Sequence, residues 1–307
     1  MTKNALALAG GGYTALIRPD KGGNCLSLRH LASGAELLRT PPKEEELAQN
    51  PNLYGTPLLF PPNRIQDGRY AFQGRVYRFP INEPSRNHHI HGTLSVTPFR
   101  VERAEENYAC LLYRANAESP YLLFPHAFSV ALEYRLDERG LFQRLTVTNE
   151  GESAMPFGAG FHTALRAPFL PGGRAEDCRL RVTASKIWKY DERILPTGET
   201  ISAQAYREGV AVAHHTISEL VEMDGSGGTA LLTDARAGGR IVYEAGKGFR
   251  FWMLFNQGGE RGFVCPEPQT WLVDAPNSPF PPEVTGFDAI MPGGRRVLET
   301  RLRYEIL

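Results

Sequence analysis

The run FVCPEPQTWLVDAPNSP, residues 263–279, sets one carboxylate, Glu267, between Pro266 and Pro268 in largely apolar surroundings. Solubility does not explain an acid placed there. A fixed, buried glutamate is the kind of group whose pKa is tuned for base chemistry. A second titratable group, His162, lies in PFGAGFHTALRAPF (156–169), where a lone histidine reads either as a functional group or as a satisfied core residue. The stretch NRIQDGRYAFQGRVYRFPINEPSRNHHIHG (63–92) carries Arg64 at one end and His88, His89 and His91 at the other. His91, set before Gly92 at an abrupt turn, is placed to point into a cleft.

Two other chemistries are tested by the same residues. His89 and His91 are two apart, so on a strand both would face one side, as a metal ion requires. Metal proteins of the cupin type follow such a pair with a nearby carboxylate; here Thr93 to Thr97 follow and no acid occurs before Glu102. No metal is therefore expected, and His88 and His89 read as loop residues. AGGGYTA (9–15) has the glycine spacing of a dinucleotide fingerprint, but that motif needs a helix to hold the pyrophosphate. Pro19 to Gly23 intervene at once and CLSLRHL follows, so a turn between strands is the better reading.

The elements that must position these groups are strands. Glycine (31) and proline (23) make up about 18% of the 307 residues, against roughly 12% in average usage. Tyr70 and Phe72, then Gln73-Gly74, then Val76 to Ile81 read as a hairpin. HAFSVALEYRLDERGLFQRLTVTNEG repeats the pattern, with Val130, Leu132, Tyr134 and Leu136 on one face, a turn over Asp137 to Gly140, and Leu141, Gln143, Leu145 and Val147 on the return strand. GRIVYEAGKGFRFWMLFN reads as a third pair folded about Ala245 to Gly248. PPKEEELAQN (41–50) is a charged surface turn or two of helix. The expectation is an all-β chain, one large antiparallel domain spanning 1–307.

Composition excludes several classes of partner. Lys+Arg and Asp+Glu are both 34, a balance that argues against duplex nucleic acid or an anionic membrane. Cys25, Cys110, Cys178 and Cys265 are scattered with no CxxC pair, which fits free thiols in a reducing compartment. The apolar run in MTKNALALAGGG is too short for a signal-peptide core, and no stretch approaches a membrane span. A cytoplasmic protein, monomer or homodimer, is expected.

In order along the chain, Asn63-Arg64-Ile65, Gly68-Arg69-Tyr70, Gly74, Tyr77, Asn82, His91-Gly92, His162, Pro196-Thr197-Gly198, Glu267-Pro268-Gln269 and Asp274-Ala275-Pro276-Asn277 resemble the pattern of the aldose 1-epimerases, or galactose mutarotases. The resemblance spans nearly the whole chain. It implies the large antiparallel β-sandwich of that family, a supersandwich, and a cofactor-free isomerase acting on a sugar. It further implies Glu267 as base and His162 as acid, with Arg64 and His91 binding sugar oxygens at two converging ends of one hairpin.

Ring opening of an aldose needs the C1 hydroxyl deprotonated and the ring oxygen protonated, each such transfer giving about 10²–10⁴-fold. One family feature is missing. Where an aspartate that grips a sugar hydroxyl is anticipated, AVAHHTISELVEM has none before Asp224, leaving His214, His215 and Glu219 as substitutes. The sugar is therefore left open. So are an epimerase acting on a hexose phosphate, with Arg69, Arg75 or Arg86 as cations, and a carbohydrate-binding or regulatory protein without turnover.

Overall fold

Alternating apolar residues build the strands as their period requires. The structure, a computed structural model, describes residues 5–225 and 227–307. Val130, Leu132, Tyr134 and Leu136 are all fully buried, and their strand Phe128–Asp137 pairs antiparallel with Gly140–Asn149 from Phe128 opposite Asn149 to Asp137 opposite Gly140. Each such buried side chain stabilises the fold by about 1.5–3 kcal/mol. These two strands sit within a nine-stranded sheet that runs, edge to edge, Val210–Ala211, Cys178–Val182, Gly228–Asp234, Gly239–Ala245, Arg295–Ile306, Gly140–Asn149, Phe128–Asp137, Tyr108–Ala115 and Arg100–Ala104.

A second sheet of eight strands runs Pro196–Ser202, Lys186–Tyr190, Ser218–Glu222, Phe251–Phe255, Phe263–Gln269, Gly160–Phe161 and Leu58–Leu59, with Leu165–Arg166 also on Phe263–Gln269. One buried cluster joins the sheets, taking Leu132, Leu145 and Tyr243 from the first and Trp252, Leu254, Val264 and Phe161 from the second. The fold is thus all-β and antiparallel, as the strand pattern predicts, and a large sandwich, as the family resemblance implies. Gly11 and Gly12 connect Leu6–Gly10 to its partner Tyr13–Arg18, so AGGGYTA is a strand turn. Arg69–Phe72 and Arg75–Arg78 form the hairpin read from sequence.

Gln143, a polar residue on an inward face, is explained by what it meets there. Its amide donates to Tyr134 Oη at 3.2 Å and its carbonyl accepts from Thr300 at 3.1 Å. Thr56, Thr163 and Tyr243 continue this buried polar chain, with 2.8 Å between Thr56 and Thr163 hydroxyls and 2.8 Å from Thr163 to Tyr243. A fully satisfied polar network specifies one registry of the two sheets. It also pins Thr163, the residue after His162.

Two sequence expectations are corrected. Gly239–Ala245 and Phe251–Phe255 do not pair; they belong to different sheets, and Gly246 to Arg250 cross between them. The reason is burial on both faces: Ile241, Val242 and Tyr243 are buried in succession, as are Phe251 to Leu254, and Tyr243 packs on Trp252 across the sandwich at 6.0 Å. His88 and His89 are not loop residues. They lie in the strand His88–Ile90 with no exposed surface, His88 bonded to the Arg193 carbonyl at 2.9 Å and His89 to the Pro80 carbonyl at 2.8 Å.

Candidate active site

Strand alternation decides which way Glu267 points. Val264 of Phe263–Gln269 joins the core cluster, so Cys265 and Glu267 face the other way. Opposite them on the neighbouring strand stand Phe255 and Met253. His162 follows the short strand Gly160–Phe161, whose Gly160 pairs with Gln269, and its backbone N–H donates to the Pro57 carbonyl at 3.0 Å. With Phe161 and Thr163 turned to the core, the imidazole turns out. Its Nε2 lies 3.1 Å from Glu267 Oε1.

Arg64 and His91 come together through the pairing of Arg64–Gln66 with His88–Ile90, in which Arg64 is opposite Ile90. The β-hairpin between them closes the loop, and its two ends converge, as the family resemblance implies. His91 adopts a left-handed φ of 70°, and Gly92 follows at 64°. A Cβ at Gly92 would stand 1.8 Å from the Phe60 carbonyl oxygen, so only glycine fits this turn. His89 braces it from behind by accepting the Gly92 N–H at 3.1 Å. Because His91 has left the strand conformation, the two histidines at 89 and 91 do not share a metal-facing side.

Asn63, buried and itself left-handed at φ 56°, ties the four groups together. Its backbone N–H donates to His91 Nδ1 at 3.3 Å, and its side-chain carbonyl accepts from the Arg64 backbone and guanidinium. Its amide donates to Gln269 Oε1 at 3.2 Å, and Gln269 in turn donates to Glu267 Oε2 at 3.2 Å. Glu83 holds Arg64 in a fork, Nε and Nη2 each 2.8 Å from a carboxylate oxygen, while Arg86 backs Glu83 at 3.1 Å. Bidentate geometry of this kind fixes orientation as well as charge. Asn63 and Gln269 sit inside quoted motifs, yet their linking role, and that of Glu83, depends on contacts no spacing reveals.

Burial governs the electrostatics. It holds the His162 imidazole down at about 4 and pushes Glu267 well above the usual carboxylate range, with Gln269 and Arg64 opposing the latter. His91 is held well below the imidazole range, first by burial and then by His162 and Arg64. His162 and Glu267 are therefore favoured as a neutral pair sharing one proton across their contact.

These groups line a cleft of about 310 Å³, with Gln49 to Leu53, Asn63, Ile90, Met253 and Phe255 completing the wall. That volume suits a small molecule. Ligand atoms of His91, His162 and Glu267 lie within 4.8 Å of one another, a spacing a metal ion could bridge. The tautomer argues otherwise: with Nδ1 accepting from the Asn63 N–H, His91 carries its hydrogen on Nε2, a donor rather than a ligand. The site of sequence-predicted Glu267, His162, Arg64 and His91 is thus one cleft, whereas Glu219, His214 and His215 are not among its lining residues. The wall from Gln49 to Leu53, at the end of the surface helix Glu44–Gln49, carried no sequence signal.

The chain belongs to the aldose 1-epimerase family, whose model matches residues 5–288. A galactose mutarotase-like protein from Clostridium acetobutylicum is 33% identical, with a TM-score of 0.93 over 98% of this chain and 95% of that one. The Escherichia coli protein YphB, uncharacterised, is 25% identical over 88% of this chain and 89% of its own length. A galactose 1-epimerase from Lactobacillus acidophilus has the same fold at 16% identity, with a TM-score of 0.74 over 96% of this chain and 92% of that one.

Proposed function

We propose that this protein is a mutarotase that interconverts the α and β anomers of a free, unphosphorylated aldose. The observation that carries the reading is the buried 3.1 Å contact of His162 Nε2 with Glu267 Oε1, in a cleft shared with Arg64 and His91. Glu267 removes the C1 hydroxyl proton while His162 protonates the ring oxygen. The C1–O5 bond breaks, C1 becomes the aldehyde, and rotation about C1–C2 precedes closure, in which each proton returns by the reverse path. The neutral pair becomes the working carboxylate–imidazolium pair by one proton transfer along the existing contact. Arg64 and the Nε2–H of His91 donate to sugar oxygens and hold the ring in position.

A neutral substrate is favoured over a hexose phosphate by charge. Arg64 is the one Lys or Arg among the lining residues, and two of its guanidinium nitrogens are already held by Glu83. Arg69 borders a separate cleft with Gln66, Arg78 and Asn277, Arg75 donates to the Pro125 carbonyl, and Arg86 is paired with Glu83. Four free cysteines are in keeping with a cytoplasmic location. Polarimetry of freshly dissolved α-glucose, α-galactose and other α-aldoses tests the activity: acceleration over buffer is expected, and a flat response with sugars that calorimetry shows to bind would make the protein a sugar binder instead.

A further inference from the structure

Gln269 points to the same side of its strand as Glu267, two residues before it, and has no exposed surface. Its place is kept by Gly160 across the ladder, where a Cβ would stand 2.9 Å from Gln269 Cγ. The direction of its hydrogen bonds follows from Arg64, whose backbone N–H and guanidinium can only donate. Asn63 Oδ1 accepts both, at 3.0 and 3.3 Å, so the Asn63 amide nitrogen is turned to Gln269 Oε1. The Gln269 amide nitrogen is thereby turned to Glu267 Oε2, and no other orientation of either amide satisfies the chain. We propose that Gln269 is a positioning residue that commits Glu267 Oε2 to accepting, so that the proton shared by Glu267 and His162 is held on Oε1, the oxygen facing the imidazole. This inference deepens the mutarotase reading and rests on it.

A carboxylic acid carries its proton on one oxygen and keeps its acceptor capacity at the other. With Oε2 taken by the Gln269 N–H, a proton on Oε1 leaves every bond of the chain intact and already lies on the 3.1 Å path to His162 Nε2. The same donor favours the ionised carboxylate, against the burial that opposes it. Gln269 therefore raises the share of the pair present as carboxylate and imidazolium, the form that the mechanism uses. It does so without meeting the sugar, since it is not among the residues lining the cleft. The other titratable or charged groups in reach of Glu267 are His162, His91, Arg64, Cys265 on its own strand and Tyr243. Burial holds the Cys265 thiol, the Tyr243 phenol and both imidazoles in their neutral forms, which leaves Arg64 as the fixed cation of this group.

Polarimetry of the parent and of Gln269→Met across about pH 4 to 10 tests this, with circular dichroism at each point. Methionine keeps the length and removes the donor, so kcat should fall roughly tenfold with KM within about twofold, and the alkaline limb should rise by about one pH unit while the acid limb stays. Gln269→Glu, whose carboxyl donates only while protonated, should recover activity toward acid pH and lose it as pH rises across the plateau of the parent. It also decides the matter if the methionine variant does not fold. Limbs like those of the parent in either folded variant, or a loss of stability and kcat with both limbs in place, overturns the proposal. The carbon-13 carboxyl resonance of Glu267, assigned by its absence in Glu267→Gln, gives a reading independent of turnover: its midpoint should move up by about one pH unit in Gln269→Met. If the parent accelerates no aldose, the mutarotase reading fails by itself. A Glu267 resonance that titrates alike in parent and Gln269→Met overturns the role of Gln269 whatever the turnover.

Discussion

His162 Nε2 and Glu267 Oε1 stand 3.1 Å apart with side chains only 6% and 2% exposed. On the proposed mutarotase reading, the two protons that ring opening must move pass through a pair already in contact. Water cannot freely set the charge of either partner, so the pair titrates as a unit, and on the proposed mechanism its proton count, not each residue alone, decides turnover.

That coupling predicts the pH dependence of turnover. Between the lowered His162, at about 4, and the raised Glu267, the pair holds one shared proton. A second proton at low pH leaves Glu267 unable to accept, and loss of the shared proton at high pH leaves His162 with nothing to donate. The kcat/KM profile should be a plateau whose acid limb lies nearer 4 than the ordinary imidazole value of 6.5. Polarimetry across about pH 4 to 10, with circular dichroism at each point, checks this; an acid limb centred near 6.5 in folded protein contradicts it.

Glu83 should matter without touching the reacting atoms. It fixes two of the three guanidinium nitrogens of Arg64 at 2.8 Å, both side chains being largely buried. Glu83→Ala frees the arginine and leaves its charge uncompensated, so KM should rise roughly tenfold with a smaller change in kcat. Glu83→Gln, which keeps a single hydrogen bond, should fall between. Equal losses of kcat and thermal stability with unchanged KM would instead make Glu83 a purely structural brace.

The fold itself should be acid-sensitive. Burial lowers the pKa of His88, His89, His91, His126 and His162, the last two to about 4. A lowered folded pKa means that the unfolded chain binds more protons below 6.5, so stability is full above that pH and is lost as pH falls through the folded values. Asp274, raised to about 6, Glu219 and Glu267 act in the opposite sense, gaining stability as pH falls. With His30 lowered in the same way, six histidines against three acids leave a net loss on acidification. The urea midpoint should drop clearly from about pH 7 to pH 5, and a midpoint that holds or rises would contradict the burial of these histidines.

Much of this site was legible because it depends on local pattern. Glu267 between prolines, His91 before a glycine and the alternation of Val130 to Leu136 each follow from chain geometry over a few residues. Long-range contacts were not legible. Asn63 reaches Gln269 across 206 positions, and the segment from Gln49 to Leu53 joins the cleft wall only through the tertiary fold. The failed hairpin at Gly239 to Phe255 has the same origin: two strands buried on both faces look like partners until the sheets are assigned. His88 and His89 misled because two adjacent histidines suggest exposure, whereas each finds a backbone carbonyl in the interior.

The central claim is that Glu267 is the base, and Glu267→Gln tests it most directly. Glutamine keeps the shape and can still accept from Gln269 and meet His162, but it cannot take the C1 proton. Polarimetric turnover together with calorimetric sugar binding should show kcat down by about 10²-fold or more, with Kd nearly unchanged. A folded Glu267→Gln protein that binds sugar and mutarotates at more than about half the parent rate would mean that the carboxylate only braces the strand and that the base lies elsewhere.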